Sequence, residues 1–138
     1  MSQYNITVSK EQLALIEKAT EWYIRTSMGQ FFDYCSEIAL NGYEYDKSNP
    51  DNDRLFDEYI QRRNESQEMF DKAYNVAAPN LFERKKTQDV QNAIDIWHVI
   101  RYFRYLERPE PKDHHTVDAY PPYQNGSEPL PKVEKVEK

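Results

Sequence analysis

Between Thr87 and Leu106 the chain sets Val90, Ala93, Ile94, Ile96, Trp97, Val99, Ile100, Phe103 and Leu106 around nearly the whole circumference of one helix. A helix with one apolar stripe can lie on a surface, but one apolar on all sides must be covered on all sides. Thr87 offers a side-chain cap and Asp89 an acid for the N-terminal dipole, so its start is well marked. A chain of 138 residues with two further helices has little left to cover it. The sequence therefore points to a homodimer or higher homo-oligomer.

The other elements follow from periodicity. Tyr4, Ile6 and Val8 alternate with Asn5 and Thr7, the period of a short half-buried strand. Ser9-Lys10-Glu11-Gln12 is a capping box, in which the Ser9 hydroxyl and the Gln12 amide each satisfy the other's backbone N–H. The first helix starts there, with Leu13, Ile16, Ala19 and Tyr23 on one stripe. Its pattern resumes at Phe31, Phe32, Cys35, Ile38 and Ala39 after Gly29, which marks a kink, a break or a close backbone approach. Asn41-Gly42 ends it, and a loop containing Asn49-Pro50 leads to a second helix. That helix is apolar at Leu55, Phe56, Tyr59 and Ile60, polar all round from Gln61 to Glu68, and apolar again at Met69, Phe70, Ala73, Tyr74 and Ala77. Its middle stands in solvent or lines a polar cavity. Pro79 ends it, and six of the eight prolines lie in the tail from Pro109.

The expected fold is mainly α: three long helices, the second and third separated by a Pro-containing loop, and a short antiparallel strand pair from the N- and C-terminal segments. Residues 1–108 form a single helical domain with the N-terminal strand. Residues 109–138 form a Pro-rich tail, with extended character returning over 130–136.

Composition removes several function classes. A single Cys35 excludes a disulfide framework and a CxxC module. No apolar run approaches the length of a bilayer span, and no apolar leader follows Met1, so a soluble, cytoplasmic protein without a membrane partner is expected. A net charge of −6 disfavours a nucleic acid polymer. With glycine only at 29, 42 and 126, neither a GxGxxG turn nor a GxxxxGKS/T phosphate loop exists.

Arg101, Arg104 and Arg108 recur at i, i+3 and i+7, interleaved with Tyr102 and Tyr105 and preceded by Trp97. Guanidinium forks bind phosphate oxygens in pairs and aromatic faces stack bases, the composition that nucleotide recognition uses. The same residues also suit a helix C-terminus whose cations complement the dipole and whose stems cover apolar surface. Arg25 with Gln30 surrounds Gly29, and Arg62 and Arg63 add cations in the polar turn of the second helix. Arg25, Gln30, Arg62, Arg63, Trp97, Arg101, Tyr102, Arg104 and Tyr105 are the ligand-binding candidates. Glu65, Glu68 and Asp71 share a broad face and form an alternative magnesium set, as in an all-α nucleotide pyrophosphohydrolase. Only Glu68 to Asp71 reproduces the ExxD of such enzymes; Asp33 to Glu37 does not reproduce their EExxE. Cys35 reads as a core group, His98 as a hydrogen-bonded core or interface histidine, and Tyr120-Pro121-Pro122-Tyr123 as an interaction motif, a lid or a rigid linker.

Two segments, Ile6 to Phe31 and Ala93 to Tyr105 followed by Gly126 to Glu134, resemble a family of small bacteriophage and prophage accessory proteins. Their layout is similar to that of phage anti-defence proteins of the nucleotide-sponge type (anti-Thoeris and anti-CBASS). The resemblance implies a protein of the bacterial host cytoplasm that sequesters a small cyclic nucleotide or cyclic ADP-ribose immune signal, without catalysis and without a cofactor. The alternatives are the pyrophosphohydrolase and a non-enzymatic adaptor that inhibits a host protein.

Overall fold

The structure, a computed structural model, describes residues 2–40, 48–77 and 87–137. Among these residues the chain is mainly helical: α1 Lys10–Ser27, α2 Phe32–Leu40, α3 Asn52–Ala77 and α4 Gln88–Leu106, followed by a 3₁₀ turn Val117–Ala119. The capping box forms as the sequence predicts, with Ser9 N–H donating to Gln12 Oε1 at 2.8 Å and Gln12 N–H to Ser9 Oγ at 3.1 Å. Thr87 Oγ1 accepts from Val90 N–H at 3.3 Å and opens α4.

The expected long first helix is two helices. Gly29 adopts φ 73°, a left-handed conformation that a helix cannot continue through. Gln30 N–H and Met28 N–H both fold back to the Arg25 carbonyl, at 2.8 and 3.1 Å, and close the end of α1. Of the readings open at Gly29, the chain takes the break.

The expected terminal strand pair is absent among the described residues. Residues 2–9 and 129–137 carry no ladder, and Tyr4 and Ile6 are 86% and 81% exposed. Two short isolated strands gain too little to offset chain ordering, and residues 125–128, just before the C-terminal segment, are held on α4 instead.

The chain gathers into two compact units, Met1–Ile24 with Lys86–Lys138, and Arg25–Lys85. In the second, α2 packs on α3 through aromatic rings. Phe31 stacks on Phe70 with centroids 5.2 Å apart and meets Tyr74 edge-on at 5.6 Å, while Tyr34 meets Phe70 edge-on at 5.6 Å. Tyr74 then donates its hydroxyl to the Ser27 carbonyl at 2.6 Å, one of the acceptors left open where α1 ends. Phe31, Cys35 and Tyr59 are buried here. Burial, with Asp71 adding to it, raises the Cys35 thiol above its ordinary pKa, and its buried place is that of the core cysteine expected.

In the first unit α4 is the centre. Val90, Ala93, Val99, Ile100 and Tyr105 are buried, and the tail after Pro109 packs against this helix. The tail runs back along α4, from its C-terminal end toward its N-terminus. Lys112 Nζ caps the Tyr105 and Leu106 carbonyls at 3.3 and 3.2 Å, and the Tyr105 hydroxyl meets His114 Nδ1 at 2.7 Å. Asp118 reaches Arg101 and Arg108, Asn125 and Gly126 reach Asp95, and Ser127 and Glu128 reach Asn92.

Candidate binding site

The returning tail leaves a cavity of about 400 Å³ against the middle of α4, lined by Trp97, His98 and Arg101 from the helix and by Val117, Asp118 and residues 120–123 from the tail. Its helical wall follows from spacing, since Trp97 and Arg101 stand one turn apart on the same face. The tail wall follows from proline. Pro121 and Pro122 hold their backbone extended, and the Asp118 and Asn125 contacts fix both ends of the wall.

Within the cavity Arg101 is held on two sides. Its guanidinium lies 3.9 Å from the Trp97 ring centroid, and its Nε forms an ion pair with Asp118 Oδ1 at 2.8 Å. Asp118 Oδ2 accepts from Arg108 Nη2 at 3.0 Å, so one carboxylate joins two guanidiniums seven residues apart. The His98 ring stacks beside Trp97 at 5.2 Å. The Trp97 indole N–H is buried without a hydrogen-bond partner. The site therefore combines flat aromatic walls, one orphaned donor, one cation and one carboxylate. That set can stack a planar group and read its polar edge.

Of the sequence-predicted ligand residues, Trp97 and Arg101 line this cavity. Arg104 instead pairs with Glu17 of α1. Tyr105 is buried, its hydroxyl on His114, its ring under Lys112 Nζ at 4.8 Å. Its phenol is held above its ordinary pKa, first by burial and then by the Glu110 and Asp113 carboxylates. Tyr102 is half-buried on α4 and does not line the cavity.

Arg25, Gln30, Arg62 and Arg63 belong to the second unit. Arg25 and Gln30 do meet, Nη1 to Oε1 at 3.4 Å, and Arg25 Nε lies 3.4 Å from Asp33 Oδ2. Arg63 lies over Phe32 at 4.8 Å and Tyr59 at 5.9 Å and also donates to Asn64, while Arg62 is exposed. The polar turn of α3 thus stands in solvent at Arg62 and covers aromatic rings at Arg63. Glu65 accepts from Gln61 Nε2 at 3.0 Å. Among the described residues no three His, Cys, Asp or Glu side chains group closely enough to hold a metal ion, and Glu65, Glu68 and Asp71 are within that search.

Asp118, the acid that organises the site, carried no signal in the sequence. It sits in a one-turn 3₁₀ segment of the tail, and its partners lie 17 residues back on α4 and 10 residues back just past the end of that helix. The Tyr-Pro-Pro-Tyr segment did carry one, as a rigid aromatic stretch. Comparison with family models, with curated proteins and with solved structures gives no match to this chain.

Proposed function

We propose that this chain binds a small planar, phosphate-bearing nucleotide in the cavity beside α4 and sequesters it without turnover. The observation that supports this reading is the seating of Trp97 and Arg101 against the wall of residues 120–123. The base stacks on the aromatic walls, its acceptor edge takes the Trp97 indole proton, and its phosphate draws on Arg101 and the half-exposed Arg108 in exchange for Asp118. A cyclic nucleotide or cyclic ADP-ribose immune signal, held by a phage-encoded protein in the host cytoplasm, is the biological form of this proposal. It draws on the resemblance of residues 6–31, and of 93–105 followed by 126–134, to phage accessory proteins.

The working form is a homo-oligomer. Leu15, 65% exposed, with Ile16 and Tyr23 on α1 and Leu106 on α4, leaves apolar surface on the first unit that a second copy would cover. A second reading, an adaptor that engages a host protein, is favoured by Tyr120 and Tyr123, which are 66% and 68% exposed while lining the cavity with part of their surface.

The test incubates the purified protein, with magnesium, with nucleoside triphosphates, cyclic di- and trinucleotides and cyclic ADP-ribose isomers, removes free ligand, and identifies by mass spectrometry what heating releases. An intact ligand, lost in Trp97→Ala and Arg101→Ala, supports sequestration. Converted product points to an enzyme, and an untouched panel leaves the adaptor.

A further inference from the structure

Asp95 is the one buried charged residue among those described, 2% exposed, and it faces neither a cation nor the cavity. Its carboxylate is taken up by the tail. Oδ1 accepts from Asn125 N–H at 2.9 Å and from Asn125 Nδ2 at 3.0 Å, and Oδ2 from Gly126 N–H at 2.8 Å and Asn125 N–H at 3.0 Å. Asn125 Nδ2 also donates to the Tyr123 carbonyl at 3.0 Å. One turn earlier on α4, Asn92 holds Ser127 Oγ at 3.3 Å and Glu128 N–H at 3.2 Å. These contacts form a latch that closes the far end of the cavity's tail wall.

The latch is built on an Asn-Gly dipeptide, and each half is required. Position 125 needs a side-chain amide donor for Asp95. Position 126 needs a residue without Cβ, because a Cβ there would overlap the Asn92 side chain. Asn-Gly is also the dipeptide most prone to cyclise, since glycine leaves the attacking backbone nitrogen unhindered.

We infer that Asn125 is a self-modification site, a one-way latch that converts only when Asp95 lets go and cannot re-form afterwards. In the reaction the Gly126 backbone nitrogen attacks Asn125 Cγ. A Cγ–N bond forms, the Cγ–Nδ2 bond breaks, and ammonia leaves with the proton from Gly126. Water then opens the succinimide at either carbonyl to give aspartate or isoaspartate. In the closed latch the attacking nitrogen and the departing amide are both hydrogen-bonded to the same carboxylate, which holds the side chain in place. The rate therefore follows the population of the open latch. After conversion the two hydrogen bonds donated by Nδ2 are gone and a new carboxylate on exposed residue 125 faces buried Asp95, a like-charge pair. Isoaspartate also reroutes the backbone by one atom, which shifts the N–H groups that Asp95 holds. The tail then leaves α4 at 125–128, and the wall at 120–123 goes with it. This inference is independent of what the cavity binds.

The test ages the full chain at mildly alkaline pH and follows Asn125 by peptide mass spectrometry and isoaspartate-resolving chromatography. A synthetic peptide covering 123–129 runs beside it, and Asn41-Gly42 in the same chain reports the chemical conditions. Conversion at Asn125 is expected to be roughly tenfold slower, or more, than in the peptide, and to approach the peptide's rate in Asp95→Asn with helical circular dichroism retained. A wild-type rate equal to the peptide's, or an unchanged rate in Asp95→Asn, overturns the inference. Should Asp95→Asn fail to fold, the peptide comparison and Asn125→Asp decide. In Asn125→Asp, cleavage after Lys112 by trypsin is expected to quicken several-fold, and an unchanged cleavage rate removes the one-way release.

Discussion

Arg101 and Asp118 lie 17 residues apart in the chain and are joined by a 2.8 Å Nε–Oδ1 contact, with the guanidinium stacked on Trp97. This pair ties the tail to the middle of α4 and gives the cavity its charged edge. Both partners are mostly buried, so their attraction is screened less than that of a surface pair.

Asp118→Ala leaves the inward-facing Arg101 without its carboxylate and frees Arg108 as well. A loss of about 1–3 kcal/mol is expected, the range for breaking charged hydrogen bonds in partly buried settings. Thermal unfolding measures it, and limited proteolysis should show earlier cleavage between 109 and 120. A melting temperature equal to wild type would mean that the tail is held by its other contacts alone.

Tyr105 gives the first unit a dependence on alkaline pH. Its folded pKa is raised, first by burial, above the ordinary value of about 10, so folding favours the protonated phenol. That contribution is full below about pH 10 and is lost as the pH rises through the folded value. Urea midpoints should therefore fall more steeply in wild type than in Tyr105→Phe between pH 9 and 11 (about one unit either side of the free phenol). At neutral pH the wild type should be the more stable of the two, because the Tyr105→Phe variant lacks the hydroxyl that makes the 2.7 Å contact to His114.

At Gly29 any L side chain must adopt φ 73°. Gly29→Ala is expected to cost about 1–2 kcal/mol, the penalty for the left-handed region. Chemical denaturation reports the value; no loss would mean that α1 runs on through the break in the variant, which a rise in helical circular dichroism would reveal.

Phe31 is buried at the α2–α3 contact with Phe70 and Tyr74 around it. Phe31→Ala should cost about 3–5 kcal/mol in the second unit. Hydrogen exchange resolves which unit suffers. Faster exchange is expected in α2 and α3, with residues 90–105 of α4 unchanged.

Local chemistry was legible from the residues. The Ser9 and Gln12 capping box, the Thr87 cap and the start of α3 all depend on neighbours within a turn, and all form as read, while Pro79, read as the end of α3, lies outside the described residues. Gly29 was legible as an interruption, but whether the helix kinks or breaks depends on where Phe31 must go to reach Phe70, 39 residues on. The strand pair failed for a similar reason. Alternation from Tyr4 to Val8 and extended character at 130–136 are real features of the sequence, yet Tyr4, Ile6 and Val136 stay exposed and the two segments do not pair.

The candidate site was legible on one side. Arg and aromatic residues at helical spacing marked Trp97 and Arg101, but the same spacing also brought in Arg104, which Glu17 engages, and Tyr105, which His114 engages. Helical periodicity shows which residues share a face and not which of them a distant carboxylate neutralises.

What the sequence determined by itself is a chain of helices with defined ends, an α4 too apolar to stand uncovered, and a tail whose prolines forbid a helix. Those properties are set by backbone sterics, capping and burial within a few residues. The course of the tail was decided only in three dimensions. Lys112, His114, Asp118, Asn125 and Ser127 each find a partner on α4 at separations from 7 to 35 residues, and no local rule specifies such pairings. They form because α4 leaves carbonyls, guanidiniums and one buried carboxylate to be satisfied, and the tail is the segment that can satisfy them all along one line.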